Sequence, residues 1–193
     1  EASGAVWSIV DRTAQTVTIN PMTSPTTDAT PTWSWTVGQT PGYAPVDHYL
    51  ISLDIFPAFE TISESYHVSS PLEDGGHLLL VVAVDKAGNQ SQAAGSVVVV
   101  DATVATPTAP VANPNPTNQN PVWTWEAVAD AHDPVTYNVY LDGVLAESGV
   151  TETDWSPVAM PADGDHYLQI EAVDGLGNVS PISEKGWVTI DTV

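Results

Sequence analysis

Carboxylates are the abundant reactive groups of this chain: 24 Asp and Glu stand against 3 Lys and Arg (Arg12, Lys86 and Lys185), for a formal charge of -21. Oxygen ligands in such number suit a hard cation, and calcium, which takes about 6 to 8 oxygens in flexible geometry, suits them best. Glycoside hydrolysis also needs two carboxylates, but no pair stands out among these acids. The five histidines make no transition-metal set, because His48, His67 and His132 lack partners at ligand spacing. His77 and His166 open matching segments, which points to a repeated structural hydrogen bond. Cysteine is absent, so disulfides, thiolate metal sites and cysteine nucleophiles are excluded. The chain contains no Gly-x-Ser-x-Gly, His-Glu-x-x-His or phosphate loop. The reading is of a protein that is not an enzyme; an accessory domain of a secreted hydrolase is the weakest alternative.

The charge balance bounds the partners. No basic patch exists to neutralise phosphates, which excludes nucleic acid. No apolar run approaches the roughly 18 residues of a membrane span, and Glu1-Ala-Ser-Gly is no signal peptide. A soluble monomer is expected. Excess negative charge at this density repels itself unless cations screen it or bind it; solubility and a high-salt habitat are the competing explanations of the acidity.

The elements that position these residues are duplicated. His77-Leu-Leu-Leu-Val-Val-Ala-Val-Asp85-Lys-Ala-Gly88-Asn89-Gln-Ser91 recurs as His166-Tyr-Leu-Gln-Ile-Glu-Ala-Val-Asp174-Gly-Leu-Gly177-Asn178-Val-Ser180, a shift of 89 positions, and Trp33 and Trp35 recur 90 positions later as Trp123 and Trp125. Asp11, Asp101 and Asp191 each follow an apolar strand end and precede a threonine. The frame is therefore a remnant of a preceding repeat over 1–10, one module over 11–101 and a second over 102–193. A duplicated unit argues for a structural array, because a catalytic site needs unlike residues converging once.

Short β-branched and aromatic runs bounded by Pro, Gly, Asn and Asp give an all-β reading. Strands are expected near 31–37, 48–53, 65–68, 77–84 and 96–100, and near 121–126, 136–141, 144–147, 154–157, 166–173 and 186–190. Asp142-Gly143 is a two-residue hairpin signal whose central positions favour positive φ; Asp54-Ile-Phe-Pro-Ala-Phe59 replaces it in the first module. Alternation puts both tryptophans of each pair on one face, with one of each pair expected in the core. Asp-x-x-Gly-Asn-x-Ser reads as a braced hairpin turn.

Pro31-Thr-Trp33-Ser-Trp35-Thr, the Asp-Gly-x-His lead into a strand (Asp74 to His77, Asp163 to His166), the Ala-Val-Asp-x-x-Gly-Asn-x-Ser turn and the closing Val-x-Ile-Asp-Thr together resemble bacterial immunoglobulin-like repeats. Such repeats form the stalks of large secreted surface adhesins, including calcium-dependent ones exported by type I secretion. The resemblance covers essentially the whole chain. It implies two tandem immunoglobulin-like β-sandwiches of about seven strands each in Greek-key order, an extracellular place on the bacterial cell surface, and a spacer or adhesive role beside neighbouring repeats of the same chain. The linker Asp101-Ala-Thr103-Val-Ala-Thr-Pro107 is looser than the usual pattern of these repeats.

In such a sandwich the chain comes in at one pole and leaves at the other. Asp101 is then expected near Asp174 and the acids Asp130 and Asp133, with Glu73 and Asp74 from the exit pole of the first module. Asp11, Asp85 and Asp47 are the counterparts at the preceding joint. Calcium clamped at these joints is the leading expectation. The rival is a glycan- or peptide-binding module that uses the unrepeated loop aromatics Tyr43, Phe56 and Phe59.

Overall fold

A computed structural model describes residues 11–38 and 41–193; the expected remnant over 1–10 lies outside the described residues. The chain divides into two compact units, 1–101 and 102–193. All regular structure in both is β, with seven strands in each unit among the described residues.

In the first unit, β1 (Val17–Ile19), β2 (Thr32–Val37) and β5 (Ser65–His67) form one sheet in the order β1-β2-β5. β3 (Val46–Leu53), β4 (Phe59–Thr61), β6 (Gly75–Asp85) and β7 (Ala94–Val100) form the other, β4-β3-β6-β7. The second unit repeats this plan strand for strand. β8 (Val111–Ala112), β9 (Trp123–Thr124) and β12 (Asp154–Trp155) make the smaller sheet. β10 (Thr136–Leu141), β11 (Val144–Val150), β13 (Gly164–Val173) and β14 (Gly186–Ile190) make the larger, β11-β10-β13-β14. Every strand pairing is antiparallel. Two tandem sandwiches result, as the alternating apolar pattern requires, since each sheet has one face to bury.

The tryptophan strands close both cores. Both members of each pair are buried, Trp33 and Trp35 in one unit and Trp123 and Trp125 in the other, where only one of each was expected. Side chains two apart share a face of a strand, so a face turned to the core takes both. Trp35 meets Tyr49 edge-on at 5.4 Å and Trp125 meets Tyr137 the same way at 5.3 Å, a favoured quadrupole arrangement. The strand expected over 121–126 shrinks to Trp123–Thr124, and that over 154–157 to Asp154–Trp155; Pro121 and Pro157 bring no N–H to a ladder.

β6 and β7 are apolar on both faces. Leu79, Val81 and Val98 are buried, while Leu78 and Val97 on the opposite face are exposed. The near-continuous apolar run therefore reflects an apolar outer face as well as a core.

Candidate functional site

The duplicated aspartates organise their own turns. In the first unit, Oδ1 of Asp85 accepts from the backbone N–H of Ala87 at 2.8 Å and of Asn89 at 2.9 Å, and Oδ2 accepts from the Asn89 side chain at 2.8 Å. In the second, Asp174 does the same with Leu176 at 2.9 Å, Asn178 at 2.8 Å and the Asn178 side chain at 2.6 Å. Gly88 and Gly177 supply φ of 84° and 92°, which glycine adopts without penalty. Ser91 and Ser180 complete the element by accepting the N–H of Ala83 at 3.0 Å and of Ala172 at 2.9 Å. Burial opposes ionisation of Asp85, but the Asn89 side chain and the backbone N–H groups of Asn89, Ala87 and Gly88 outweigh it and hold the carboxyl below its ordinary value. Asp174 is lowered likewise, burial being overcome by Asn178, Leu176 and Gly177.

Each of these carboxylates is already occupied by bonds within its own turn, so most ligands of any metal nearby must come from other groups.

Those groups lie at the unit ends. In the first unit Asp11 accepts from Thr13 N–H at 3.1 Å and from Ala44 N–H, and Pro45 O accepts from Lys86 N–H at 3.0 Å. The 44–45 segment therefore joins Asp11 to the Asp85 turn. Exposed Asp47 is two positions further on and accepts from His48 Nδ1 at 3.1 Å. Arg12 and Lys86, two of the chain's three cations, directly adjoin Asp11 and Asp85 in sequence.

Glu73 and Asp74 precede β6 and so lie at the far end of the first unit from Asp85, roughly 35 Å away along an 11-residue strand. Gly75 pairs with Val100, and one further step of the same register sets Asp74 opposite buried Asp101.

In the second unit Gly175 N–H donates to His132 O at 2.7 Å, and a Cβ on Gly175 would overlap that oxygen. The Asp130–Asp133 loop is thereby pinned against the Asp174 turn. Asp130 Oδ1 accepts from His132 N–H at 2.8 Å, and Asp133 is exposed. No Lys or Arg occurs between Trp123 and Asp174.

The loop aromatics separate. Phe56 and Phe59 line a cavity of about 400 Å³ with Leu53, Tyr66, Val68 and Leu72, and Phe59 meets Tyr66 edge-on at 5.4 Å. Tyr43 precedes β3 whereas Phe56 follows it, so Tyr43 lies at the other end of that strand and takes no part. Sequence reading placed Tyr66 in a strand without seeing that the strand edge opens here. At the equivalent edge of the second unit Trp155 donates through Nε1 to Glu147 at 2.8 Å and packs on Trp123.

The reading of the histidines missed two partners. His77 donates through Nδ1 to Asp54 Oδ2 at 2.8 Å and through Nε2 to Glu73 O at 2.8 Å. His166 donates to Asp142 Oδ2 at 2.7 Å and to Ala162 O at 2.9 Å. Asp54 and Asp142 take left-handed φ of 52° and 51°. Their pairing was invisible in sequence because the partners stand 23 and 24 positions apart.

No family model matches the chain, and no curated protein matches it. Solved structures similar to it include fibronectin(III)-like modules of Clostridium thermocellum CbhA, at 16% identity and TM-score 0.39 over 91% of this chain and 94% of that one. Domains of titin align at 14% identity and TM-score 0.49, over 92% of this chain and 68% of theirs. The FN1-FN3 domains of chicken CNTN1 align at 15% identity and TM-score 0.45, over 90% and 64%.

Proposed function

We propose that the chain is a spacer segment of an extracellular bacterial surface adhesin, a pair of monomeric sandwich modules whose joints are stiffened by calcium. One observation carries this reading: the residues repeated between units, Asp85 and Asp174 with their asparagines and His77 and His166 with their aspartates, all brace backbone turns. Duplication has kept the means of holding a module, as expected where modules are beads rather than reactive centres. Asp130 and Asp133, in a loop fixed to the Asp174 turn, suit calcium, which accepts carboxylates and backbone carbonyls without strict geometry. Calcium there would neutralise acids that have no local Lys or Arg.

The test is a titration by calorimetry beside melting curves in calcium, magnesium and chelator. Dissociation constants of about 0.1 to 1 mM are expected for an extracellular module. At 100 times that constant the bound state gains about 2.7 kcal/mol. Neither heat nor a melting shift would end the calcium reading and leave flexible joints.

The Phe56–Phe59–Tyr66 cavity favours a second reading, a module that binds a glycan or peptide at the first unit's sheet edge. Its test is a glycan and peptide array with and without Phe59→Ala; an indifferent array leaves the spacer alone.

A further inference from the structure

We propose that the outer face of the four-stranded sheet in the second unit binds a neutral saccharide, with the indole of Trp187 stacked on the C–H face of a pyranose ring. Tyr167 and Trp187 stand directly opposite each other on β13 and β14. Their neighbours Leu168 and Val188 are buried in the core, so strand alternation turns both aromatic rings outward. The rings lie 5.0 Å apart at 54°, and Trp187 is 52% exposed, the only exposed tryptophan among the described residues.

The fold does not require aromatic residues here. The same register in the first unit pairs Leu78 with Val97, and that sheet forms equally well. An exposed tryptophan that packing does not demand is a candidate contact, since aromatic rings carry a large apolar area and a negative π-face. The positively polarised C–H hydrogens of a sugar ring complement that face.

The surroundings select the ligand. Lys185 Nζ sits 4.0 Å from the Tyr167 ring centroid and 5.5 Å from that of Trp187. Held there by cation–π attraction, it lies closer to the phenol ring than to the indole and offers a donor to a ring or glycosidic oxygen. Further along β13, Gln169 donates its amide to Ser183 O at 2.8 Å, which orients its carbonyl oxygen for a sugar hydroxyl. Asp165 accepts from Thr189 Oγ1 at 2.7 Å and Glu171 accepts from the Tyr140 hydroxyl at 2.8 Å. Fixed acceptors of this kind match hydroxyl donors, whereas the two carboxylates and the chain's charge of -21 repel an anionic sugar. A protein partner needs about 800 Å² of contact with an apolar centre; here Asp165 and Gln169 border the rings instead.

The experiment follows the Trp187 indole N–H by NMR while neutral oligosaccharides (cello-, xylo-, manno- and chito-hexaose) are added to the full chain in chelator, with polygalacturonate as the anionic control. The result expected is saturable movement of that resonance by at least one neutral oligosaccharide. By calorimetric titration of the same sugar, Trp187→Ala should weaken affinity at least tenfold, Trp187→Tyr should restore part of it, and Phe59→Ala should not alter it. Silence of the resonance with every neutral sugar, binding by polygalacturonate alone, or undiminished affinity in Trp187→Ala would each overturn the proposal. Chelator keeps the outcome independent of calcium at the joints.

Discussion

His166 donates through Nδ1 to Asp142 Oδ2 at 2.7 Å while its Nε2 donates to Ala162 O at 2.9 Å. Both acceptors lack a proton to give, so it is the imidazolium form, with hydrogen on both ring nitrogens, that satisfies both contacts. His77 repeats the arrangement with Asp54 and Glu73 O, although the hairpins that carry the two aspartates differ in length. What the two modules share at this end is a charge-assisted clamp on a left-handed turn residue, not the turn itself.

The clamp makes stability depend on pH. The bond to Asp142 raises His166 above 6.5, against burial; in His77 burial lowers and the bond to Asp54 raises, with a net rise above 6.5. A raised histidine stabilises fully below its unfolded value and loses that contribution as pH climbs through the folded value. In Asp54 burial raises and the His77 bond lowers, to a net value under 3.8. Its share is present above 3.8 and lost as pH falls through the folded value. Both contributions are complete between about pH 4 and 6.5, and stability should fall from pH 6 to pH 9. Thermal melts of His77→Gln/His166→Gln across that range should lose most of the slope, while the background from the other acids remains in both proteins. A loss on the order of 1 kcal/mol per clamp at pH 6 is expected, at the low end for charged hydrogen bonds because Asp142 is partly open to solvent.

The Asp-x-x-Gly-Asn-x-Ser turns predict the acid limit. Asp85 and Asp174 are both held below 3.8, so their stabilisation persists above 3.8 and disappears as pH drops through the lowered values. Asp174→Ala strips three donors of their acceptor at a buried site and should cost about 2–3 kcal/mol. Denaturant unfolding of the full chain carrying Trp33→Phe and Trp35→Phe, so that the buried tryptophans of the second unit report, checks this; a cost under about 0.5 kcal/mol, the range of an ordinary surface change, would show that Asp174 does not brace the turn.

Strand periodicity carried much of this in the sequence. Thr136–Leu141 and Gly186–Ile190 stand where alternation put them, because buried positions alternate with less buried ones along them. β1 and β4, three residues each, and β8, two residues, are too short to show a period. The Asp-turn braces were legible because all their partners lie within eight positions of one another. The His–Asp clamps and the Phe56–Phe59–Tyr66 cavity were not, because their members meet only once strands pair. Trp187 was visible as a strand residue, but its place opposite Tyr167 follows from the register of β13 and β14, which no single strand shows.

Gly186 tests the second core. A Cβ there would overlap the carbonyl oxygen of Pro110, and Trp123 Nε1 donates to Gly186 O at 2.9 Å, so backbone retreat would break the core tryptophan's hydrogen bond. Gly186→Ala should destabilise by about 2–3 kcal/mol, lowering the melting temperature of a unit this size by about 8 °C or more. Gly76→Ala, at an exposed strand position where a Cβ meets nothing within 4 Å, is the control and should change little. Equal melting of the two variants would contradict the close approach of β14 to Pro110.

Charge removal separates a metal site from solvated acids. Asp130 and Asp133 lie in one loop fixed to the Asp174 turn through Gly175, in a stretch without Lys or Arg. Their mutual repulsion should lower stability in chelator, and bound calcium should reverse it. Asp130→Asn/Asp133→Asn is therefore expected to melt higher than the parent in chelator and to show little further rise in millimolar calcium, where the parent rises. Melting in chelator, calcium and magnesium, with ionic strength matched so that general screening cancels, gives the comparison. If parent and variant respond alike to calcium, these two acids are not ligands.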